Sequence, residues 1–290
     1  MMAILSLYQR RARWWTKHWA MRWAKRWARL PTYWKVWKMF AFNALQETFL
    51  NRGTNALFIS GKVIRLGMSL LFLWLIKTNI QDFSGYTPDQ VIIFFLTYQL
   101  IDVVSQSLFR GVYLFSHQIR SGEFDFILAR PINPLFRSLT GKPDINDVVF
   151  MVPTLLVSAI IIAQLNVTIT LGSALVFLGL LINSLLIVTG LHILVLVVGV
   201  LTTEIDGVIW MYRDLSRLGQ FPVTIYLEPV RFALFFIIPI GMMITVPAEL
   251  LLNRPPSQAV AVAAAFGVGF FAVSLWAWRY SLRHYSSASS

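Results

Sequence analysis

Cysteine is absent from this chain, so it can build no disulfide, no thiolate-ligated zinc or iron–sulfur centre and no thiol nucleophile. Acid is scarce as well, with 13 Asp and Glu against 25 Lys and Arg and a formal net charge of +12. Charged residues of both signs make up only 13% of the sequence, where a soluble domain carries roughly a quarter. Catalytic constellations are missing too. Neither Gly61-Lys62 nor Gly141-Lys142 has a glycine five residues before the first member or a Ser or Thr after the lysine, so the sequence holds no phosphate-cradling P-loop. No nucleophile-elbow or HExxH pattern occurs, and His192 stands alone in an apolar run. It reads as a neutral histidine bonded to a neighbouring helix. The chain is therefore expected to do no covalent chemistry and to take any energy it uses from a partner.

Long apolar runs fill the space. The sequence is 57% hydrophobic with a mean hydropathy of +0.65, a composition that fits a polytopic membrane protein. A hydrocarbon layer about 30 Å thick needs about 20 helical residues. Six segments meet that length, near Leu57–Ile76, Val91–Phe115, Val148–Asn166, Leu171–Leu201, Val230–Leu252 and Ala259–Trp278. Lys62 and Arg65 interrupt the first, where either the long side chains snorkel to the near interface or the span begins later. Pro153 and Pro239 do not exclude their spans, because a bundle can satisfy the backbone groups a proline frees.

Basic residues set the orientation. They crowd residues 1–40 and recur at Arg120, Arg130, Arg137 and Lys142, at Arg213 and Arg217, and at Arg279 and Arg283. The connections at 79–90 and 167–170 have none, and only Lys77 and Arg254 run against the pattern. The positive-inside rule then places both termini and the two longer loops in the cytoplasm. The expected fold is an all-α membrane protein with six transmembrane helices. Its parts are a basic N-terminal region (1–56), a six-helix transmembrane bundle (57–285) with a cytoplasmic loop at 116–147, and a short disordered tail (286–290).

The positive charge does not call for nucleic acid. Trp15, Trp19, Trp23 and Trp27 recur every fourth residue among Arg11, Arg22, Lys25, Arg26 and Arg29, which predicts an amphipathic helix in the headgroup layer of an anionic leaflet. No apolar core of signal-peptide length follows this stretch, so no cleaved leader is expected.

Inside the second span, Gln99, Asp102, Gln106 and Arg110 share one helical face. An acid near mid-bilayer costs about 2.5–3.5 kcal/mol on insertion scales, so Asp102 should face protein or a water-filled cavity. The face suits a translocation path or an interhelical network equally, the latter with Asp102 pairing to a cation on another span and Arg110 pairing near the inner interface. In the last span Ala261, Ala265 and Gly269 form a small-residue stripe that suits close packing, within the bundle or between subunits.

The stretch RSGEFDFILARPINPLFRSLTGKPDIND (120–147) is charged, proline-rich and flanked by apolar spans. Phe124, Phe126, Ile127 and Leu128 are costly to leave in water, so they are expected to pack on the bundle ends, the bilayer or another protein. Pro131 and Pro134 preclude one continuous helix, and Asp144 is placed to cap a short helix before the third span. In EIDGVIWMYRDLSRLGQFP (204–222), Ile205, Val208, Ile209, Tyr212 and Leu215 share a face, which predicts a short amphipathic helix at the inner interface.

LFRGVYLF (108–115), SGEFDFILARPINPLFRSLTGKPDINDVVF (121–150), FPVTIY (221–226) and FFIIPIGMMITVPAELLL (235–252) resemble the ABC-2-type permeases, within them a small six-span bacterial subfamily. The likeness covers roughly residues 33–285. The tryptophan-rich extension before Tyr33 departs from it. The resemblance implies the ABC-2, or type V, exporter fold: a membrane subunit that binds no cofactor itself, with ATP and Mg on a separate ABC ATPase subunit. It implies an interfacial connecting helix before the first span and a coupling helix at or beside Gly122, Glu123, Phe124, Asp125, Arg130, Pro131 and Pro134. Both Phe124 and Phe126 are then expected to touch the ATPase. It further implies a second permease copy or paralogue, and a place in the bacterial inner membrane. The alternative is an ATP-independent secondary transporter or channel.

Overall fold

The computed structural model describes residues 30–79, 81–165, 169–202, 205–252 and 257–286. The tryptophan stripe at Trp15–Trp27 and the tail at 287–290 lie outside them. Among the described residues the chain is helical, and its one extended contact is an isolated bridge between Phe83 and Tyr86.

Helix α1 spans Leu30–Leu50 and α2 spans Arg52–Asn79. Helix α3 (Pro88–Phe109) continues through a 3-10 turn (Arg110–Leu114) into α4 (Phe115–Arg120). Thr87 starts α3 with a reciprocal cap, its hydroxyl accepting from the Gln90 N–H while Gln90 Oε1 accepts from the Thr87 N–H at 3.0 Å, and Pro88 follows at the first position. Two short helices, α5 (Glu123–Ala129) and α6 (Pro134–Thr140), precede α7 (Ile145–Gln164) and α8 (Leu171–Thr202). Asp144, expected to cap a short helix, instead caps the spanning helix α7, accepting from the Asn146 and Asp147 N–H groups at 3.0 and 3.2 Å.

Helices α3 and α8 form the centre. Helix α8 is apolar all round, as a helix enclosed by others must be, and α12 (Ser257–Arg283) packs along it. Asn183 Nδ2 donates to the Ala263 carbonyl at 2.9 Å across that contact. The small residues that face α8 are Ala263 and Gly267, whereas Ala261, Ala265 and Gly269 are exposed. The predicted stripe therefore makes no packing contact within this chain. Helices α2 and α7 are peripheral, with only 6% of each apolar window buried. Apolar helices left this bare belong in lipid, and the protein is a multi-pass membrane protein.

The fifth crossing differs from its predicted place. Asp206, at the start of α9 (Asp206–Ser216), pairs with Arg120 at the far end of α4 (3.3 Å). Farther on, Arg213 lies over Tyr113, and Phe221 stacks with Phe83 at 5.4 Å. The Thr224 and Tyr86 hydroxyls are hydrogen-bonded at 3.0 Å, just ahead of α3. These contacts descend along α3 as 206–224 ascends, so the segment runs antiparallel to α3 through the length of the bundle. The predicted amphipathic helix exists with its predicted buried face of Ile205, Ile209 and Tyr212, but it is the first half of a crossing and not an interfacial loop. Gly219 lets the segment pack closely on the 240–244 turn: a Cβ there would meet Ile244 Cδ1 at 2.3 Å and Ile240 Cγ2 at 2.7 Å.

The apolar stretch predicted as the fifth span is a helix pair, Glu228–Ile237 and Gly241–Leu251, bent by 77°. It comprises α10 (Glu228–Phe232), two π-type turns and α11 (Val246–Leu251). Pro239 has no N–H to carry the ladder through the break. Tyr86 Oη also donates to Glu249 Oε1 at 2.9 Å. The pair thus begins four residues after Thr224 and ends beside Tyr86, entering and leaving at one end of the bundle. Among the described residues six crossings remain, with the fifth reassigned.

Because the chain has no cysteine, a single one at exposed Leu227 is a clean reporter. It is expected to react with a membrane-impermeant maleimide from the same side as one at Ser84, and from the side opposite one at Arg130. Reaction from the Arg130 side would return 205–227 to a loop.

Candidate functional site

Two groups of predicted residues occupy separate places. The first is the segment between the second and third crossings. Gly122 precedes α5 in the left-handed region, φ 73°, which a glycine adopts without strain. This turn reverses the chain after α4, and Glu123 and Asp125 in the first turn of α5 favour its N-terminal dipole. The helix then presents two unlike faces. Phe124 is fully buried, edge to face with Phe115 (4.9 Å) and Tyr285 (5.1 Å) and near Trp278 (6.4 Å). Ile127 is buried beside it, whereas Phe126 is 69% exposed. Phe124 therefore anchors α5 to the bundle and to the end of α12, and Phe126 is the side chain offered outward. Burial, with the neighbouring Asp125 carboxylate adding to it, pushes the Tyr285 phenol up to about 12, so this anchor stays neutral.

Arg130 and Pro131, both exposed, carry the chain to Asn133, whose side chain caps α6 by accepting from the Leu135 N–H at 2.9 Å, with Pro134 at the first helical position. Helix α1 braces this turn. Its Tyr33 meets Phe136 at 4.9 Å, its Phe40 lies under the Arg137 guanidinium at 4.4 Å, and its Glu47 pairs with Lys142 at 2.9 Å. Arg137 also donates to the Gly141 carbonyl at 2.6 Å. A cavity of about 460 Å³ between α1, α4 and α5 includes Glu123, Arg130 and Arg137.

The second group lies in the membrane-spanning region. Asp102 Oδ2 accepts from Arg65 on α2 at 2.7 Å, and its Oδ1 accepts from Gln106 at 3.4 Å. Tyr113 Oη donates to Gln106 Oε1 at 3.1 Å. Arg110 Nε lies 3.7 Å from Asp144, and Lys62 pairs with Asp147. Gln99 is half-buried on the same helix but is no part of this chain of contacts. Position on α3 singled out Asp102, Gln106 and Arg110. The sequence offers Arg65 and Lys62 as snorkelling side chains, yet each is matched to a carboxylate on another crossing. Arg213 also lines this cavity; the charges around it make its segment read as a loop, so the sequence carries no signal for its place there. His192, the lone histidine, is buried between Phe109 and Tyr212, with Nδ1 2.9 Å from the Val188 carbonyl of its own helix rather than a neighbouring one.

These two groups form no nucleophile–base pair. Among the described residues no three His, Asp or Glu side chains cluster so as to hold a metal. What the geometry offers is a short helix packed on one end of the bundle through Phe124 and Ile127 with Phe126 exposed, and a charged cavity between the crossings. Residues 63–289 match the profile of a family described as ABC-2 family transporter protein. No curated protein and no solved structure matches the chain significantly.

Proposed function

The chain belongs to the ABC-2 transporter family, and from that premise we propose that it is the permease subunit of an ATP-driven exporter whose nucleotide site lies on a separate ABC ATPase. ATP and Mg are held by that partner. Helix α5 is the coupling helix, with Phe126 seated in the ATPase and Phe124 passing the resulting displacement to Phe115 and Trp278 at the ends of the second and sixth crossings. The asymmetry of α5, one ring locked into the bundle and the next one bare, is the observation that carries this reading.

The α5 end of the bundle is cytoplasmic in this proposal, a reading supported by the Lys and Arg at Arg120, Arg130, Arg137, Lys142, Arg279 and Arg283. Both termini lie on that side, in a bacterial inner membrane. Helix α1, with Trp34, Met39, Phe42 and Phe49 exposed beside Lys35 and Lys38, lies in the cytoplasmic headgroup layer. A second permease copy or paralogue completes the pathway. The cargo is a drug-like molecule, a lipid or a glycoconjugate.

Two features favour the rival reading. The broken pair at 228–251 and the charge pairs among α2, α3 and α7 are devices also used by secondary transporters. Proteoliposomes separate the two. The chain with a Walker-A ATPase is expected to hydrolyse ATP faster when cargo is added and to move nothing without ATP. Cargo movement by the purified chain alone would refute the permease reading.

A further inference from the structure

The cavity between α2, α3, α7 and α9 has a volume of about 470 Å³, within the range of small-molecule sites. Lys62, Arg65, Arg110 and Arg213 line it together with Asp144 and Asp147. Three of those cations are matched, Lys62 by Asp147, Arg65 by Asp102 and Arg110 by Asp144. Arg213 is not. Among the described residues it has no carboxylate partner, and its guanidinium rests near the rings of Tyr113 (5.8 Å) and Trp210 (5.6 Å).

Arg213 stands seven residues along α9 from Asp206, about 10 Å into the bundle at the helical rise. A cation on a crossing with no carboxylate beside it marks a place where its charge can serve a ligand. The three paired cations leave the cavity with one positive charge more than its carboxylates neutralise. Guanidinium groups present planar forks of N–H donors that fit phosphate oxygens two at a time. The cavity's other wall is apolar: Leu57 and Phe58 of α2 line it and are 76% and 50% exposed. A site with a cationic floor and a rim open toward acyl chains suits a ligand with both parts.

We propose that this cavity binds the phosphate of an anionic amphipathic molecule, held by Arg213 with Arg65 and Arg110 beside it, while the apolar part lies over Leu57 and Phe58. That the ligand is cargo rests on the permease reading; that it binds does not. The site assigns the cargo class as phosphate-bearing amphipaths drawn from the leaflet on the α5 side.

The full chain, incubated in detergent with equal amounts of phosphatidylglycerol and phosphatidylcholine, is expected to retain the former preferentially in native mass spectrometry. Arg213→Gln is expected to cut that preference at least tenfold and Arg213→Lys to keep most of it. Arg217→Gln, whose side chain pairs with Asp214 away from the cavity, is expected to leave it unchanged. A cysteine at Leu57, with every charge in place, should react more slowly with maleimide as phosphatidylglycerol is added. Millimolar inorganic phosphate that displaces the lipid and gives the same protection would assign the site to free phosphate, the same chemistry from a soluble source. Equal retention of both lipids, or an unchanged preference in Arg213→Gln, would overturn the proposal, as would a second copy supplying the missing carboxylate. Lipid preference without ATP-driven transport would refute the permease reading and leave the site standing; transport without the preference would do the reverse.

Discussion

Phe126→Asp is expected to release the ATPase subunit from the membrane complex while the permease keeps its yield and thermal stability. Phe126 is 69% exposed, so folding of the chain alone owes it little. Burying a phenylalanine at an interface contributes roughly 1.5–3 kcal/mol, so placing a carboxylate there should weaken ATPase retention at least tenfold. Phe124→Ala should behave in the opposite way. Its ring is enclosed by Phe115, Trp278 and Tyr285, and emptying such a site costs about 3–5 kcal/mol. That variant should lose yield and melting temperature, with ATPase release only as a consequence. Pull-down of the ATPase beside thermal melting of the permease distinguishes the two. Equal effects at both positions would remove the distinction between anchor and docking ring.

From sequence both phenylalanines are expected to touch the ATPase, and the reason is periodicity. Residues 123–128 alternate acid and apolar, which invites a reading in steps of two. A helix instead groups 124 with 127 and turns 126 away. The spacing of Phe124 and Ile127 was visible, and with the turn at Gly122 it was the available signal.

Hydropathy located five crossings because each holds a long stretch in which apolar residues far outnumber the charged ones, and lipid leaves few alternatives to helix for such runs. It failed at 205–226, where Asp206, Arg213, Asp214 and Arg217 fall within twelve residues. A segment that lies against α3 and the 241–245 turn, and faces a charged cavity, has no need of an apolar exterior. The same measure misplaced the stretch at 228–251 for the converse reason. Its composition shows that it lies in an apolar environment, and composition carries no information about whether a chain crosses or returns. Pro239 marked the break, but the return is specified by Tyr86, Thr224 and Glu249, residues far apart in sequence. The rotation of α2 that sets Arg65 against Asp102 was equally out of reach, since helical phase fixes which residues share a face and not which face meets which neighbour.

Charge reversal of Asp102 is expected to lower the yield of folded permease in the membrane severely, and a swap with Arg65 is expected to restore it. Asp102 is only 9% exposed at its side chain and also accepts from Gln106. Asp102→Lys would set a second cation against Arg65 with no anion between them. Intramembrane charges cost on the order of 2.5–3.5 kcal/mol each when unmatched, and a protein of ordinary stability tolerates few such losses. Arg65 is half exposed, so water reaching the cavity relieves part of its penalty, and Arg65→Gln should be the milder single change. The double variant Arg65→Asp, Asp102→Arg rebuilds a pair of opposite sense at the same place. Recovery of folded yield in the swap, measured by size-exclusion profile, would establish a pairwise interaction across α2 and α3. Transport in that same variant then reports on the cavity: the pair is restored, but the cation has moved from α2 to α3 and away from Leu57 and Phe58. Restored assembly with transport reduced severalfold is the expected result. Failure of the swap to recover assembly would mean that Asp102 owes its place to Gln106 and Tyr113 rather than to Arg65.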